Sequence, residues 1–290
     1  MGFIIIFMSG IFFAMSAYFT KIVTNITSMS GVISSFSRYF IGAIIMFIYI
    51  IVTKKTFKSK DFKPVIWRSV FNSLSIVIYT AALGYTTMTN ATMLKLTYPV
   101  FVVLLVPLML KGESIKKSTY LYLFLIMLGS YIVADPSFGN INKGDLLSLI
   151  AAVVAAISII YLKKARENND GYLIVFYVMF IGVFVNIPFS INDLVNFEVN
   201  GLIYVIFSAL LGILGQVFLT WGFKYTDPAT GSLISSSRIV LSAIIGIVFL
   251  NEPFNIRIVI GMVLIFGSLV GLSGYFDTSK VLIDDEIEIK

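Results

Sequence analysis

The sequence predicts an all-α integral membrane protein of ten transmembrane helices, arranged as two inverted five-helix repeats with the N- and C-termini cytoplasmic. Three observations lead there. Of 290 residues, 58% are hydrophobic and only 12% are charged, against about 25% charged in an ordinary soluble domain. Apolar runs of roughly 20 residues recur along nearly the whole chain, each long enough to cross a hydrocarbon core of about 30 Å. Short motifs return at an offset near 140 residues. A β-barrel is excluded, because its strands are about 10 residues of alternating polarity and no such alternation is visible.

The first span, 2–23, has no basic residue ahead of it. It also exceeds the roughly 7–15 residues of a signal-peptide core, so it is expected to be retained. The second, 30–52, carries Arg38 well inside, on the order of 12 Å from its end. The third, 66–87, carries Asn72 and Tyr79. The fourth, 92–110, holds Lys95 a turn or so from its outer end, then Tyr98 and Pro99. Pro99 frees the carbonyl four residues back, which must find a partner in a water-lined cavity or a neighbouring helix. The spans at 118–134, 144–162 and 172–190 follow, and the eighth, 199–222, contains Gln216 and Trp221. The ninth, 229–250, runs SLISSSRIVLSAI with Ser236 and Arg238 deep within it, and 256–275 is the tenth. Connections are short, so consecutive helices are antiparallel neighbours and no room is left for an extramembrane domain.

Charge sets the orientation. With the N-terminus inside, most of the 21 basic residues fall in cytoplasmic segments, including Lys54, Lys55, Arg68, Lys163 and Lys164, while Lys21, Lys143 and Arg257 fall outside. The positive-inside rule then places both termini in the cytoplasm. The same distribution argues against nucleic acid as the partner of the net +6 charge. Three basic residues remain within spans, Arg38, Lys95 and Arg238, and no aspartate or glutamate is expected inside one. There are no cysteines and no histidines, which removes disulfides, thiol chemistry, Cys/His metal sites and histidine proton relays.

The internal repeat rests on several matches in order. AMSAYFTK at 14–21 and AISIIYLK at 156–163 share Ala, Ser and Lys at identical spacing; FIG recurs at 40–42 and 180–182; LKGES at 110–114 and LNEPF at 250–254 place Glu113 and Glu252 after the fourth and ninth spans. LIMLGS at 125–130 and LIFGS at 264–268 align their Gly-Ser pairs, and YTTMTNAT resembles YTDPAT. The units are 1–137 and 138–276, followed by a short cytoplasmic tail, 277–290. Because each holds an odd number of helices, the second enters the membrane inverted, and such repeats place a substrate site at their interface.

Taken together, SSFSRYFIGAIIMF, AALGYTTMTNAT, TYPVFVVLLVPLML, the two glutamates and GMVLIFGSLVG resemble the drug/metabolite transporter superfamily, specifically its ten-helix EamA type, over roughly residues 2–275. The resemblance implies secondary transport or exchange of small metabolites such as amino acids, without an ATP site. Two departures stand out. Members commonly carry a proline in the ninth span matching Pro99, where this chain has Arg238, and often an arginine early in the seventh span, where YLIVFYVMFIGVF has none.

The candidate substrate-binding residues are Arg38, Lys95, Arg238, Tyr98, Tyr79, Asn72, Ser236, Gln216 and Trp221. An arginine fork holds a carboxylate or phosphate bidentately, as lysine cannot. Arg38 is read either as a structural bond-former at a helix crossing or as a substrate contact. Lys95 either lines a cavity or snorkels to the headgroups, and Asn72 and Gln216 either bond across helices or meet cargo. With no protein acid to pair the intramembrane cations, the expected cargo is a small metabolite bearing a negative group: an amino acid, an organic acid or a phosphorylated compound. It would move by alternating access across the inner (plasma) membrane. A multidrug-type exporter of organic cations would need a buried acid, an intramembrane enzyme would need positioned acids, bases or a metal, and a non-transporting sensor would leave the duplicated design unexplained. No cofactor is expected. Membrane lipid is the expected surrounding partner, and a homodimer is left open.

Overall fold

The computed structural model describes residues 1–82, 85, 88–110, 115, 117–134, 142–250 and 256–272. Among these the regular structure is helical. In chain order the helices are α1 (Gly2–Ile26), α2 (Gly31–Val52), α3 (Phe62–Ala82), α4 (Met88–Lys95), α5 (Tyr98–Met109), α6 (Lys117–Ala134), α7 (Lys143–Asn168), α8 (Gly171–Val195), α9 (Leu202–Gly222), α10 (Pro228–Ser235), α11 (Arg238–Leu250) and α12 (Ile256–Leu272), with a 3-10 turn at Val199–Gly201 leading into α9. Six are long and apolar enough to cross a membrane: α1, α2, α3, α7, α8, and α9 with its leading turn. The chain is a multi-pass membrane protein. Glu113, Glu252 and the 277–290 tail lie outside the described residues.

The expected fourth and ninth spans are each two helices rather than one. In both breaks the backbone tightens by one residue: the Thr97 amide donates to the Leu94 carbonyl at 3.2 Å, and the Ser237 amide donates to the Ile234 carbonyl at 3.1 Å. The next step repeats as well, with Val100 donating to Thr97 at 2.9 Å and Ile239 to Ser236 at 3.0 Å. Pro99 accounts for the first break, since it has no amide to donate and disfavours helical backbone in the residue before it. The second has no proline. There the Ser232 hydroxyl donates to the Ala229 carbonyl at 2.7 Å and the Ser235 hydroxyl to the Gly231 carbonyl at 3.0 Å, and such back-bonding bends helices.

Three acids do fall inside the described helices, against the expectation that none would fall inside a span: Asp145, Asp193, and Glu167 in the last turn of α7. Asp145 and Asp193 lie in the first turn of α7 and the last turn of α8, where they hold helix ends. Asp145 forms a capping box with Asn142: its amide donates to the Asn142 side chain at 3.0 Å, and its carboxylate accepts from the Asn142 amide at 3.1 Å. Asp193 accepts from the Ser30 amide at 3.1 Å and from the Ser30 hydroxyl, and Ser30 in turn caps α2 through the Val32 amide. Beside this clasp Glu198 accepts from both the hydroxyl and the amide of Ser28, which hold its carboxyl below the usual carboxylate range. That contribution is present at neutral pH and is lost as pH falls through the lowered value.

The main packing partners join the first half of the chain to the second: α1 with α9, α3 with α7, α2 with α8, α6 with α12, and α5 with α10. Large apolar side chains such as Phe40, Ile44 and Ile48 point outward, while Ser16, Ser35, Ser73 and Ser75 are buried. This is the arrangement expected where lipid replaces water outside and small polar residues let helices approach. The Ser16 hydroxyl donates to the Ser208 carbonyl at 2.7 Å, and the Ser208 hydroxyl returns the bond to the Ser16 carbonyl at 2.9 Å. Between α2 and α8, Ser35 donates to Asn186 at 3.0 Å. Tyr39 lies so close to Gly182 that a Cβ there would stand 2.3 Å from its ring.

Gly182→Ala should therefore lower the thermal midpoint of the purified protein, by a cost of about 1–3 kcal/mol from overpacking. Gly267→Ala, where a Cβ meets nothing within 4 Å, should leave it unchanged. Equal melting of the two variants would contradict the tight α2–α8 approach.

Candidate functional site

The bundle encloses a cavity of about 370 Å³, within the roughly 300–1,000 Å³ range of small-molecule sites. Helical periodicity builds its walls. On α3, Arg68, Asn72, Ser75 and Tyr79 fall at successive spacings of four, three and four, and all four line the cavity. On α1, Ser9, Phe13, Ser16 and Thr20 repeat that spacing. Arg38 enters from α2, while Ser208 and Gln216 enter from α9. The two helix breaks complete the wall: Lys95 ends α4 and Tyr98 starts α5, while Ser235 ends α10 and Arg238 starts α11.

Seven of the nine sequence candidates thus share one cavity: Arg38, Asn72, Tyr79, Lys95, Tyr98, Gln216 and Arg238. The other two stand elsewhere. Ser236 is fully buried in the α10–α11 break, its hydroxyl directed at the Ser232 carbonyl at 3.5 Å. Trp221 is half exposed on α9, with its indole against Gly171 and Phe218.

Aromatic faces receive the buried cations. The Lys95 ammonium lies 4.0 Å from the centroid of the Tyr79 ring, inside the cavity. The Arg38 guanidinium carbon is 5.5 Å from the Tyr39 centroid, and that of Arg238 is 5.4 Å from Phe13. These are cation–π distances. Arg38, Lys95 and Arg238 act electrostatically on one another, so they form one cluster of like charge. Glycine sets the position of Arg38, because a Cβ on Gly212 would stand 2.4 Å from the Arg38 Cδ. The amide of Asn72 donates to the Tyr39 hydroxyl at 2.9 Å, and the Tyr98 hydroxyl donates to the Ser232 carbonyl at 3.3 Å, tying α5 to α10 across the cavity.

Arg68 is the residue that sequence reasoning put in the wrong place. Counted with the cytoplasmic segments, it is instead 1% exposed, buried within α3 and part of the cavity wall. The signal that could have found it is the spacing of Arg68 with Asn72, Ser75 and Tyr79, which places all four on one helical face. Lys21 also lines the cavity. Five basic side chains and no aspartate or glutamate therefore stand among the described lining residues. No group of three His, Cys, Asp or Glu able to hold a metal occurs among the described residues either. What such a wall can do chemically is bind negative charge, with hydroxyls and amides beside it to accept and donate hydrogen bonds.

The fold and sequence match known proteins. A crystal structure aligns with TM-score 0.73 over 93% of this chain and 96% of its own, at 14% identity, a likeness of fold. The pseudopaline exporter CntI of Pseudomonas aeruginosa is 27% identical over 275 residues, covering 91% of this chain and 96% of that protein. An uncharacterized transporter of Helicobacter pylori is 25% identical over 229 residues, covering 75% of this chain and 76% of its own length. The model of the EamA-like transporter family matches residues 1–134 and 142–274. With both stretches matched, the chain belongs to the EamA-like transporter family.

Proposed function

We propose that this protein carries a small metabolite bearing a negative group across the inner (plasma) membrane. The observation that carries the reading is the composition of the cavity wall, which holds Lys21, Arg38, Arg68, Lys95 and Arg238 without an aspartate or glutamate among its described residues. A charge in the membrane interior costs several kcal/mol, and an anionic or zwitterionic cargo offsets that cost when it enters. An amino-acid carboxylate, an organic acid and a phosphorylated compound all meet the requirement. An organic cation would meet repulsion.

Ten spans follow if α4 with α5 and α10 with α11 are each taken as one broken crossing, giving two inverted five-helix units at 1–137 and 138–276 with both termini cytoplasmic. The cross-half pairing of helices supports this division, as do the matching breaks. Half-helix starts carry positive dipole ends, and discontinuous helices at a repeat interface are a recurrent device for holding an anionic substrate. Tyr98 and Arg238 stand at those starts and line the cavity. Rocking of one unit against the other would expose the cavity to each side in turn. The described lining residues offer no carboxylate, and the sequence has no histidine, as a proton carrier, which favours exchange or facilitated diffusion over proton coupling. The word exporter in the name of the Pseudomonas aeruginosa relative favours outward movement.

Thermal stabilisation of the purified protein by a panel of amino acids, organic acids, phosphorylated metabolites and organic cations tests this. Anionic or zwitterionic compounds should stabilise, and Arg238→Gln should weaken their binding roughly 10- to 100-fold, as expected for a charged hydrogen bond worth about 1.5–3 kcal/mol. Stabilisation by cations alone, unaltered in Arg238→Gln, would overturn the proposal. Gly212→Ala tests the placement of Arg38. Because its Cβ would stand 2.4 Å from the Arg38 Cδ and 3.1 Å from the Ser16 Oγ, the melting point should fall modestly, and the displaced Arg38 should cost about tenfold in anion binding. Unchanged binding would remove Arg38 from the site.

A further inference from the structure

Arg68 has a geometry that its neighbours do not explain. Its Nη1 donates to the Ser158 hydroxyl at 2.6 Å, and that hydroxyl donates to the Arg68 carbonyl at 3.1 Å. Its Nε and Nη2 are buried with no hydrogen-bond partner. These two N–H groups lie along one edge of the guanidinium, the edge that grips a carboxylate or phosphate with two parallel bonds. Ser158 thus fixes one corner of the fork and leaves the bidentate edge of this cavity-wall residue without a protein partner.

Packing alone does not call for an arginine at this crossing. The α3–α7 contact has a counterpart in α1–α9, and Ser158 stands 142 residues after Ser16 while Ser208 stands 140 after Arg68. In the counterpart, Ser16 and Ser208 close on each other's carbonyls with nothing left over. A serine therefore suffices to join two such helices, and the other half of the molecule places a buried cation with two unpartnered donors where that serine would be.

Arg68 is also apart from the cationic cluster. Arg38, Lys95 and Arg238 act on one another, and Arg68 shares phenols with them, Tyr39 with Arg38 and Tyr98 with Arg238. Tyr39 takes its hydrogen bond from Asn72, one turn from Arg68, and Lys95 sits over Tyr79, eleven residues along the same helix. At about 1.5 Å per residue these place the two sites between roughly 6 and 16 Å apart along α3.

We infer that Arg68 is a second anion-binding point, so that the cargo is an elongated molecule with a negatively charged carboxylate or phosphate at each end. One end meets the Arg38, Lys95 and Arg238 cluster, and the other meets the Nε and Nη2 edge of Arg68. This rests on the anion reading of the cavity and deepens it.

The test uses the purified full chain and α,ω-dicarboxylates of about four to ten carbons, a series chosen to bracket that span. Each is titrated against its own monomethyl ester, with ω-phosphonocarboxylates of equal length as a parallel arm. At one or more lengths the dianion should bind roughly 10- to 100-fold more tightly than its ester. Arg68→Ser, which supplies the residue found at the counterpart crossing, should lower dianion binding toward the ester's affinity and so shrink the ratio of dianion to ester affinity. Arg68→Lys, which keeps the charge and loses the fork, should also lose most of that advantage. The unliganded melting point of Arg68→Ser should equal or exceed that of the parent, whereas an arginine needed for packing would lower it. A preference for the phosphono series identifies the second group as phosphate, and a preference for the dicarboxylates identifies it as carboxylate. If dianions gain nothing over their esters at any length, or keep their gain in Arg68→Ser, the second point is refuted while Arg238-dependent binding leaves the anion reading intact. If neither dianion nor ester stabilises the parent protein while other anions do, this inference falls and the anion reading stands; if no anionic or zwitterionic compound stabilises it, both fall.

Discussion

Positive charge held in a low-dielectric interior, with no aspartate or glutamate among the described residues that line it, is the constraint around which this molecule is organised. A buried ion pair satisfies itself, whereas unpaired cations must be met by dipoles, ring faces or an incoming anion. The chain supplies the first two in part. Tyr79, Tyr39 and Phe13 present ring faces to Lys95, Arg38 and Arg238, and serine hydroxyls from several helices line the same space. Among the described carboxylates, Asp145, Asp193 and Glu198 stand at helix ends, occupied with caps and clasps.

The scaffold that holds this arrangement adds polar and small-residue contacts to a buried apolar cluster. Its crossings are made by serine hydroxyls that bond carbonyls on a facing helix and by glycines that let an aromatic ring or an arginine stem approach closely. Such contacts suit a lipid solvent, where burying apolar surface between helices gains little over leaving it in hydrocarbon. The two helix breaks do a different task. They turn helix ends into the cavity, delivering Lys95 and Tyr98 on one side and Ser235 and Arg238 on the other.

Much of this was legible in the residues. Arg38, Lys95 and Arg238 were visible because a charge inside an apolar run stands out, and all three reach one cavity. The break after Lys95 was signalled by Pro99. The break before Arg238 was not, because it is made by serine hydroxyls bonding back to their own helix, and serine is equally common where helices merely pack. Arg68 was hidden for another reason: it lies near the start of its span, where a basic residue is ordinarily an orientation signal. Only the face it shares with Asn72, Ser75 and Tyr79 distinguishes it. Trp221 shows the converse, an amphipathic residue whose place on the outer side of α9 depends on helix rotation, which composition does not fix.

The central claim is that the cavity passes negative charge. Counterflow in proteoliposomes measures this directly, with the vesicles preloaded with one unlabelled compound and the entry of its labelled form followed over time. Amino acids, organic acids, phosphorylated compounds and organic cations would each be tried in turn. The account predicts accelerated entry for one or more anionic or zwitterionic compounds and none for the cations. Accelerated entry of an organic cation, with the anions inert, would contradict it.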